Sequence, residues 1–412
     1  MRIRKKFLTS MQMMSCGIMK LKKVGITERF NGPGSVLQLA DIMRTDGCNK
    51  VLIVSGKTVK EKKITDPFVK KLHEYNIDHE FFVVPGGKFN SQSFEEGYRT
   101  YVRSSCDAVM AFGGGTVIDC AKLIALKAAN PSKNMTYFTD FTAVPKKAVP
   151  LYAAPTTPGS GSEISMLSFY TDEKGHKLPV LSSEFVPGAA ALDPDLMMTL
   201  PPELIAYCGM STLTRAIESY ISTYSERFYR DTVNAPKACR MVFENLYDAF
   251  IDTDNKTARL NLLKASYYAG ISFRRSAGGY IQAISHRMSE LYGIHHGLAD
   301  AVLLPYILEE YMPEVVEDLS VIAYHCDFSD DKNAKVENAF RIIEQIRDLN
   351  QMLGIPDYIA ELQDTDVPLI IKRTQNDARL CGCPKILMDS DLENIFSVLL
   401  YNKSRDNKNA VL

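Results

Sequence analysis

From Gly47 onward the chain alternates short apolar runs with amphipathic stretches. The runs at residues 50–54 (KVLIV), 80–84 (EFFVV), 108–112 (AVMAF) and 150–154 (PLYAA) are bounded by Gly, Pro or polar residues, the pattern of buried strands. Between them, DPFVKKLHEYN and SFEEGYRTYVRSS repeat apolar positions at helical spacing, and Ser93, with Glu96 three residues on, is placed to cap the second. Strand and helix in alternation predict a parallel sheet covered by helices.

After Leu200 the pattern changes. PELIAYCGMSTLTRAIESYISTYS, DTVNAPKACRMVFENLYDAFI and AKVENAFRIIEQIRDLNQMLG carry helical periodicity with no strand between them, and Pro201-Pro202 marks the change. The predicted organisation is α/β plus all-α: residues 1–22 a disordered lead, 23–200 a Rossmann-like dinucleotide-binding domain, and 201–412 an all-helical substrate and catalytic domain. No internal repeat or low-complexity segment interrupts it.

Length and charge narrow the classes. At 412 residues the chain suits two or three domains of about 150 residues. Its 48 basic and 49 acidic residues create no field for a polyanion, which argues against nucleic acid as a partner. No apolar run is long enough to span a membrane, and the basic N-terminus lacks a secretory pattern. Nine cysteines, scattered singly apart from Cys381 and Cys383, read as a reduced, cytoplasmic setting; the Cys-x-Cys pair is either structural or a partial metal site.

Two loops carry candidate chemistry. In DAVMAFGGGTVIDCAK, Gly113, Gly114 and Gly115 follow a strand and open a helix, where glycine permits close approach or positive φ and the helix N-terminus favours an anion. The alternative is a tight turn that only packs strand on helix. In APTTPGSGSE, Thr156, Thr157, Ser160 and Ser162 add hydroxyls and free amides after a second strand, and ligands of open α/β sheets sit at such strand ends.

The stretch GMSTLTRAIESYIS poses a different question. Ser211, Arg215, Glu218 and Ser222 fall on one helical stripe beside Met210, Leu213, Ile217 and Ile221. That polar stripe is either a wet surface or the wall of a site.

Taken in order, GGGTVIDCAK, PTTPGSGSE, LDPDLMMTLPP, GMSTLTRAIESYIS and HRMSELYGIHHGLADAVLLP resemble the iron-activated (group III) alcohol dehydrogenases, from about Phe30 to Asn402. The resemblance implies the dehydroquinate synthase-like fold, an NAD(P)-dependent oxidoreductase acting on alcohol and carbonyl groups, a dinucleotide on the N-terminal domain, a metal on the helical domain, and a homodimer or larger homo-oligomer. It implies that Gly113, Gly114, Gly115, Thr116, Asp119, Thr156, Thr157, Ser160 and Lys177 serve the dinucleotide, and it covers Lys122 as part of the same signature. NAD-using relatives end an earlier strand in an Asp that bonds the ribose; this chain has Gly56 and Lys57, which favours NADP(H), unless Lys57 only solvates a loop.

The family's metal ligands fall on Ser211, Arg215, Gln282 and His296, of which only His296 is of the family's kind. A hydroxyl and a neutral amide are poor ligands for iron or zinc, and a guanidinium repels a cation. No metal is therefore expected, with Arg215 in its place. Arg215 and Arg275 together favour an anionic substrate, with Ser211 and Gln282 beside it; Glu218 is the alternative partner of Arg215 as a structural ion pair. His286 matches a non-ligand histidine near the nicotinamide and is the candidate proton donor, with His296 as a second donor and His295 structural. The predicted function is NAD(P)H-dependent reduction of a small, anionic aldehyde or ketone without metal. A catalytically inactive dinucleotide-binding relative, or a metal enzyme with Glu218 or Asp300 recruited beside His296, are the alternatives.

Overall fold

The computed structural model describes residues 25–85, 89–140, 145–173, 177–224, 233–274, 276 and 278–409. The strands are β1 (Glu28–Asn31), β2 (Lys50–Gly56), β3 (Asp78–Val84), β4 (Ala108–Gly113), β5 (Leu151–Pro155), β6 (Leu167–Thr171), β7 (Lys177–Leu181) and β8 (Ala189–Leu192). The α-helices are α1 (Val36–Thr45), α2 (Lys57–Glu61), α3 (Asp66–Glu74), α4 (Ser91–Arg103), α5 (Gly115–Ala129), α6 (Met135–Phe138), α7 (Pro202–Tyr220), α8 (Ala235–Ile251), α9 (Lys256–Phe273), α10 (Tyr280–Tyr292), α11 (His296–His325), α12 (Lys335–Met352), α13 (Val367–Asp377) and α14 (Asp389–Asn409).

Six strands form a parallel sheet in the order β1-β8-β5-β4-β2-β3, and β6 and β7 form an antiparallel pair. Successive residues of the central strands serve opposite layers. Leu52 and Val54 of β2 pack with Val109 and Ala111 of β4 and with Ile118, Leu123 and Ile124 of α5. Val51 and Ile53 pack with Met110 and Phe112, with Leu39 and Met43 of α1, and with Phe68 and Leu72 of α3. Burial on both faces makes such strands apolar throughout, each large side chain contributing about 1.5–3 kcal/mol.

The neighbours of β2 are β3 on one side and β4 on the other, so strand order reverses between β2 and β4. Phe112 of β4 is in register with Ser55 of β2, and Gly113 with Pro155 of β5. The carboxyl ends of three strands thus bring Gly56, Gly113 and Thr156 to one edge at the reversal, where open α/β sheets bind ligands.

Helix α4 starts three residues earlier than its sequence indicates. Asn90, not Ser93, is the N-cap: Asn90 Oδ1 accepts the Ser93 amide at 3.0 Å, and Ser93 Oγ accepts the Asn90 amide at 3.0 Å. Ser93 is the third helical residue of a capping box, a place that a Ser fills as well as the Glu sought at Glu96.

The described residues divide into two compact units, one comprising those from Gly25 to Leu200 with Asp254–Gly270, the other Pro201–Thr253 and those from Ile271 on. The residues 254–270, expected in the helical domain, cluster instead with the α/β unit. Buried Arg259 donates to the Met197 carbonyl, and Ser266 Oγ accepts the Gly161 amide at 3.3 Å. Gly161 has φ +58°, and a Cβ there would lie 2.6 Å from the Gly270 Cα, so two glycines permit this close approach.

In the helical unit α7 packs on α8 and α11, and α11 on α10 and α12. A Cβ at Gly209 would fall 2.3 Å from a Leu246 methyl, which fixes a glycine where α7 meets α8.

Candidate functional site

In the α/β unit the glycine loop and the hydroxyl loop come together. Thr156 donates its amide to the Gly113 carbonyl at 3.1 Å. A Cβ on Gly114 would lie 2.8 Å from Thr157 Oγ1, and one on Gly115 2.8 Å from Ser160 Cβ. Gly113 is excluded from growing by its own helix, since Val117 Cβ would stand 2.5 Å away. None of the three has positive φ; Gly114 is extended at φ −78°, ψ −172°. Close approach, and not the left-handed conformation, requires these glycines.

Gly114 is the N-cap of α5, so the amides of Gly115 and Thr116 open a helix of 15 residues without intrahelical acceptors. Thr116 is exposed, and Gly114, Gly115, Thr157 and Ser160 are half-buried. Ser55 was not anticipated: its Oγ is buried at the end of β2 and makes no hydrogen bond among the described residues.

Asp119 and Lys122 lie on α5, the helix that the glycine loop opens. Lys122, fully buried, donates to the carbonyls of Ser165 at 2.9 Å and Leu167 at 3.0 Å, and stands 3.9 Å from Asp119. Ser168 Oγ donates to the Asp119 carbonyl at 3.1 Å. These bonds tie α5 to the β6–β7 pair, on which Lys177 is the first residue of β7; its side chain lies outside the described residues. Gly56 ends β2 in extended conformation, and Lys57 begins α2 with its side chain 71% exposed and 3.6 Å from Glu61.

In the helical unit the polar stripe of α7 faces inward. Ser211, Glu218 and Ser222 are buried and Arg215 half-buried. Ser211 donates its hydroxyl to Asp300 Oδ2 of α11 at 2.8 Å. Arg215 sets its guanidinium carbon 5.1 Å from the Phe273 ring centre, a cation–π contact. Glu218 caps a different helix: its Oε1 accepts the Ile281 amide at 3.0 Å in the first turn of α10. Gly278 has φ +73°, and a Cβ on Gly279 would lie 2.4 Å from Glu218 Oε1, so the Gly278-Gly279 pair makes room for this cap.

Gln282 of α10 is buried. Burial raises the Asp300 carboxyl above its ordinary range, while Ser285, Arg215, Ser211 and Gln282 around it favour its ionised form. Burial, with the charge of Asp300, pushes Glu218 well above the carboxylate range, which favours its protonated form. Sequence reading treated Asp300 only as a spare ligand; the signal for more was a carboxylate inside the apolar run LADAVLLP.

His286 of α10 and His296 of α11 are half-buried, with ring centres 6.1 Å apart in edge-to-face contact. His295 is the N-cap of α11. Its Nδ1 accepts the Gly297 amide at 3.1 Å, which requires the neutral ring, and burial lowers its pKa in the same sense. Its ring stacks on Tyr207 and His296. Arg275 lies outside the described residues.

A parallel sheet with a glycine-rich loop at its reversal is joined in one chain to a helical unit with an inward polar cluster. The chain belongs to the iron-containing alcohol dehydrogenase family: residues 27–194 match the model for iron-containing alcohol dehydrogenase, and residues 205–400 that for the C-terminal part of the family. It is 28% identical over 367 residues to an NAD-dependent methanol dehydrogenase of Bacillus methanolicus, covering 88% of this chain and 96% of that one. It is 27% identical over 386 residues to an NADPH-dependent butanol dehydrogenase of Clostridium saccharobutylicum, covering 92% and 97%. The crystal structure of a 1,3-propanediol oxidoreductase superposes with TM-score 0.85 at 26% identity, covering 92% of this chain and all of the other. The chain is accordingly an NAD(P)-dependent oxidoreductase of alcohol and carbonyl groups.

The two groups that the family implies fit unequally. A dinucleotide fits the α/β unit, which offers the first-turn amides of α5, the packed glycines and a Ser55 hydroxyl that has no partner among the described residues. A divalent metal does not fit the helical cluster: the donors at the matching positions are a hydroxyl committed to Asp300, a guanidinium, a carboxamide and one imidazole.

Proposed function

We propose that this protein reduces a small, anionic aldehyde or ketone with NADPH and does so without a catalytic metal. The observation that carries the reading is the buried cluster in which Ser211 bonds Asp300 and Arg215 bears on the same carboxyl. The nicotinamide, when bound, supplies the hydride. The chain's own task is to stabilise the negative charge that develops on the carbonyl oxygen and to deliver a proton.

Arg215 is the group for the first task, a fixed cation and hydrogen-bond donor in a water-poor setting, where one such donor lowers the barrier by roughly 3 kcal/mol. Ser211 and Gln282 stand beside it as further donors, and Arg275 adds charge in the reading made from sequence. His286, in contact with His296, is the proton donor or relay, work that an imidazole side chain suits. Sulfonate, phosphonate and phosphate aldehydes match the guanidinium.

Gly113, Gly114, Gly115 and Thr116 would hold the pyrophosphate, Thr156, Thr157 and Ser160 the adjoining nucleotide, with Asp119 acting through Lys122 on the loop and Lys177 carried on β7. The NADP(H) preference rests on Gly56, which places no carboxylate at the end of β2. Lys57 contributes little to it, because its ammonium is exposed and faces Glu61. A cytoplasmic homodimer completes the reading; the described cysteines are free and buried, and no described helix is long and apolar enough to cross a membrane.

The test is oxidation of NADPH and NADH by the purified protein over neutral and anionic aldehydes, with and without a strong chelator. Turnover that survives the chelator and favours anionic substrates is expected. Loss of turnover with chelator would restore a metal, and silence across the panel would favour a dinucleotide-binding protein without activity.

A further inference from the structure

Two imidazoles that the proposed reaction does not use meet in the α/β unit. His73, in the last turn of α3, is exposed, and His79, the second residue of β3, is half-buried. Tyr75, Asn76 and Ile77 join the helix to the strand, with Asn76 at φ +54°, and β3 is the last strand in the order of the parallel sheet. His73 Nε2 and His79 Nδ1 are 3.3 Å apart, their ring centres are 5.2 Å apart and their planes are inclined at 38°. Two ring nitrogens each about 2.0–2.1 Å from one tetrahedral ion stand about 3.3–3.4 Å from each other. Imidazoles converging on such an ion have ring centres about 5.2 Å apart, whereas a head-on N–H···N bond of the same length sets them at about 5.6 Å.

Strand alternation decides what else reaches the pair. His79 and Phe81 share one face of β3, with their rings edge to face at 5.4 Å, and Phe81 packs on the core beneath α1 and α3. Asp78 and Glu80 belong to the other face, where Glu80 Oε2 accepts the Ser104 hydroxyl at 3.1 Å. Among the described residues no third His, Cys, Asp or Glu completes a ligand group. The Lys60 ammonium is held 3.1 Å from the centre of the Phe81 ring. Burial first, then the charges of His73 and Lys60, lower His79 below the ordinary imidazole range, in favour of the neutral ring that a metal requires.

The geometry points to His73 and His79 as a two-imidazole site for a late first-row divalent cation such as Zn²⁺, with water in the remaining positions. The ion ties α3 to the edge strand β3 and touches neither the dinucleotide loops nor the polar cluster of the helical unit. Imidazole nitrogen selects such ions over Mg²⁺, which prefers oxygen.

The experiment is calorimetric titration of the full chain with Zn²⁺, and separately with Mg²⁺, at neutral pH. Wild type is expected to bind one Zn²⁺ more than the double variant His73→Ala/His79→Ala. Each single variant should weaken that site by roughly tenfold or more, and the double variant should lose little beyond either single, because one imidazole alone forms no chelate. His73→Gln keeps a hydrogen-bonding group beside His79 and should lose the ion all the same. Zn²⁺ should raise the unfolding midpoint of wild type and not that of the double variant. Equal stoichiometry and affinity in wild type and the double variant would overturn the inference. So would losses in the two singles that simply add in the double, which mark two independent nitrogens, full binding by His73→Gln, or equal binding of Mg²⁺ at the same site.

Discussion

Glu218 Oε1 receives the backbone amide of Ile281 at 3.0 Å, so the helix that carries Gln282 and His286 is capped by a carboxyl from α7 and not by its own N-cap residue, Gly279. The cap fixes α10 against α7. Its protonation state makes this contact testable.

Burial and the neighbouring Asp300 charge raise the Glu218 carboxyl and favour its protonated form in the folded chain, whereas in the unfolded chain it ionises above about pH 4.3. A raised folded pKa means that the unfolded state loses this proton first as pH rises. Stability from this group is therefore complete below the unfolded value and falls with pH, by up to about 1.4 kcal/mol per unit, until the folded value is reached. Glu218→Gln keeps the accepting oxygen and abolishes the titration. Its unfolding midpoint should rise relative to wild type as pH goes from 5 to 8, while Glu218→Ala, which strips the cap, should lose about 1–2 kcal/mol at pH 5. A constant gap between wild type and Glu218→Gln across that range would show that the carboxyl is ionised in the fold.

Gly56 accepts a side chain without strain. It is extended at φ −78°, ψ 157°, and a Cβ there would meet nothing nearer than Val117 Cγ2 at 3.9 Å. Gly56→Asp should therefore fold normally and lower kcat/KM with NADPH relative to NADH by on the order of tenfold to a hundredfold, through repulsion of a 2'-phosphate and a new bond to a ribose hydroxyl. An unchanged cofactor ratio in steady-state kinetics would remove the argument for NADP(H).

The central strands were legible because both of their faces are buried, which leaves continuous apolar runs such as VLIVS and AVMAFG. The edge strand β1 (ERFN) is partly exposed and polar, and β8 is AAAL, a sequence of low strand propensity that becomes a strand through its neighbours. Residues 254–270 carry a helical period, but a period does not name the partner; Arg259 reaching Met197 and Gly161 meeting Gly270 settle that only in three dimensions. In the helical cluster the identities at Ser211, Arg215 and Gln282 were readable by likeness to the family, while the bond that organises them, Ser211 to Asp300, joins residues 89 positions apart.

The glycine loop makes a prediction about contact, not about backbone strain. Gly114 has φ −78°, open to any residue, yet a Cβ would stand 2.8 Å from Thr157 Oγ1. Gly114→Ala should weaken NAD(P)H binding roughly tenfold by pushing the two loops apart. Thr157→Ala in the same chain should recover more than half of that loss in free energy, since the remaining Cβ is 3.8 Å away. Fluorescence titration of the bound dinucleotide reads both; equal affinities for Gly114→Ala and wild type would mean that the loops adjust freely.

Arg215 decides between a charge-based and a metal-based site. If the guanidinium stabilises the developing oxyanion, Arg215→Ala should lower kcat/KM by on the order of a hundredfold with any aldehyde, and further with anionic ones, where the ground-state attraction is also lost. Arg215→Lys keeps a charge but not the planar fork or the stacking on Phe273, so it should recover anionic-substrate KM more than kcat. Removal of the arginine takes away a charge that favours the ionised form of buried Asp300, and the variant's unfolding midpoint should fall as well. A purely structural ion pair would show that stability loss with kcat intact in the folded fraction. Restoration of activity in Arg215→His by added Fe²⁺ or Zn²⁺ would show that the pocket still has metal geometry around His296, and would overturn the metal-free reading.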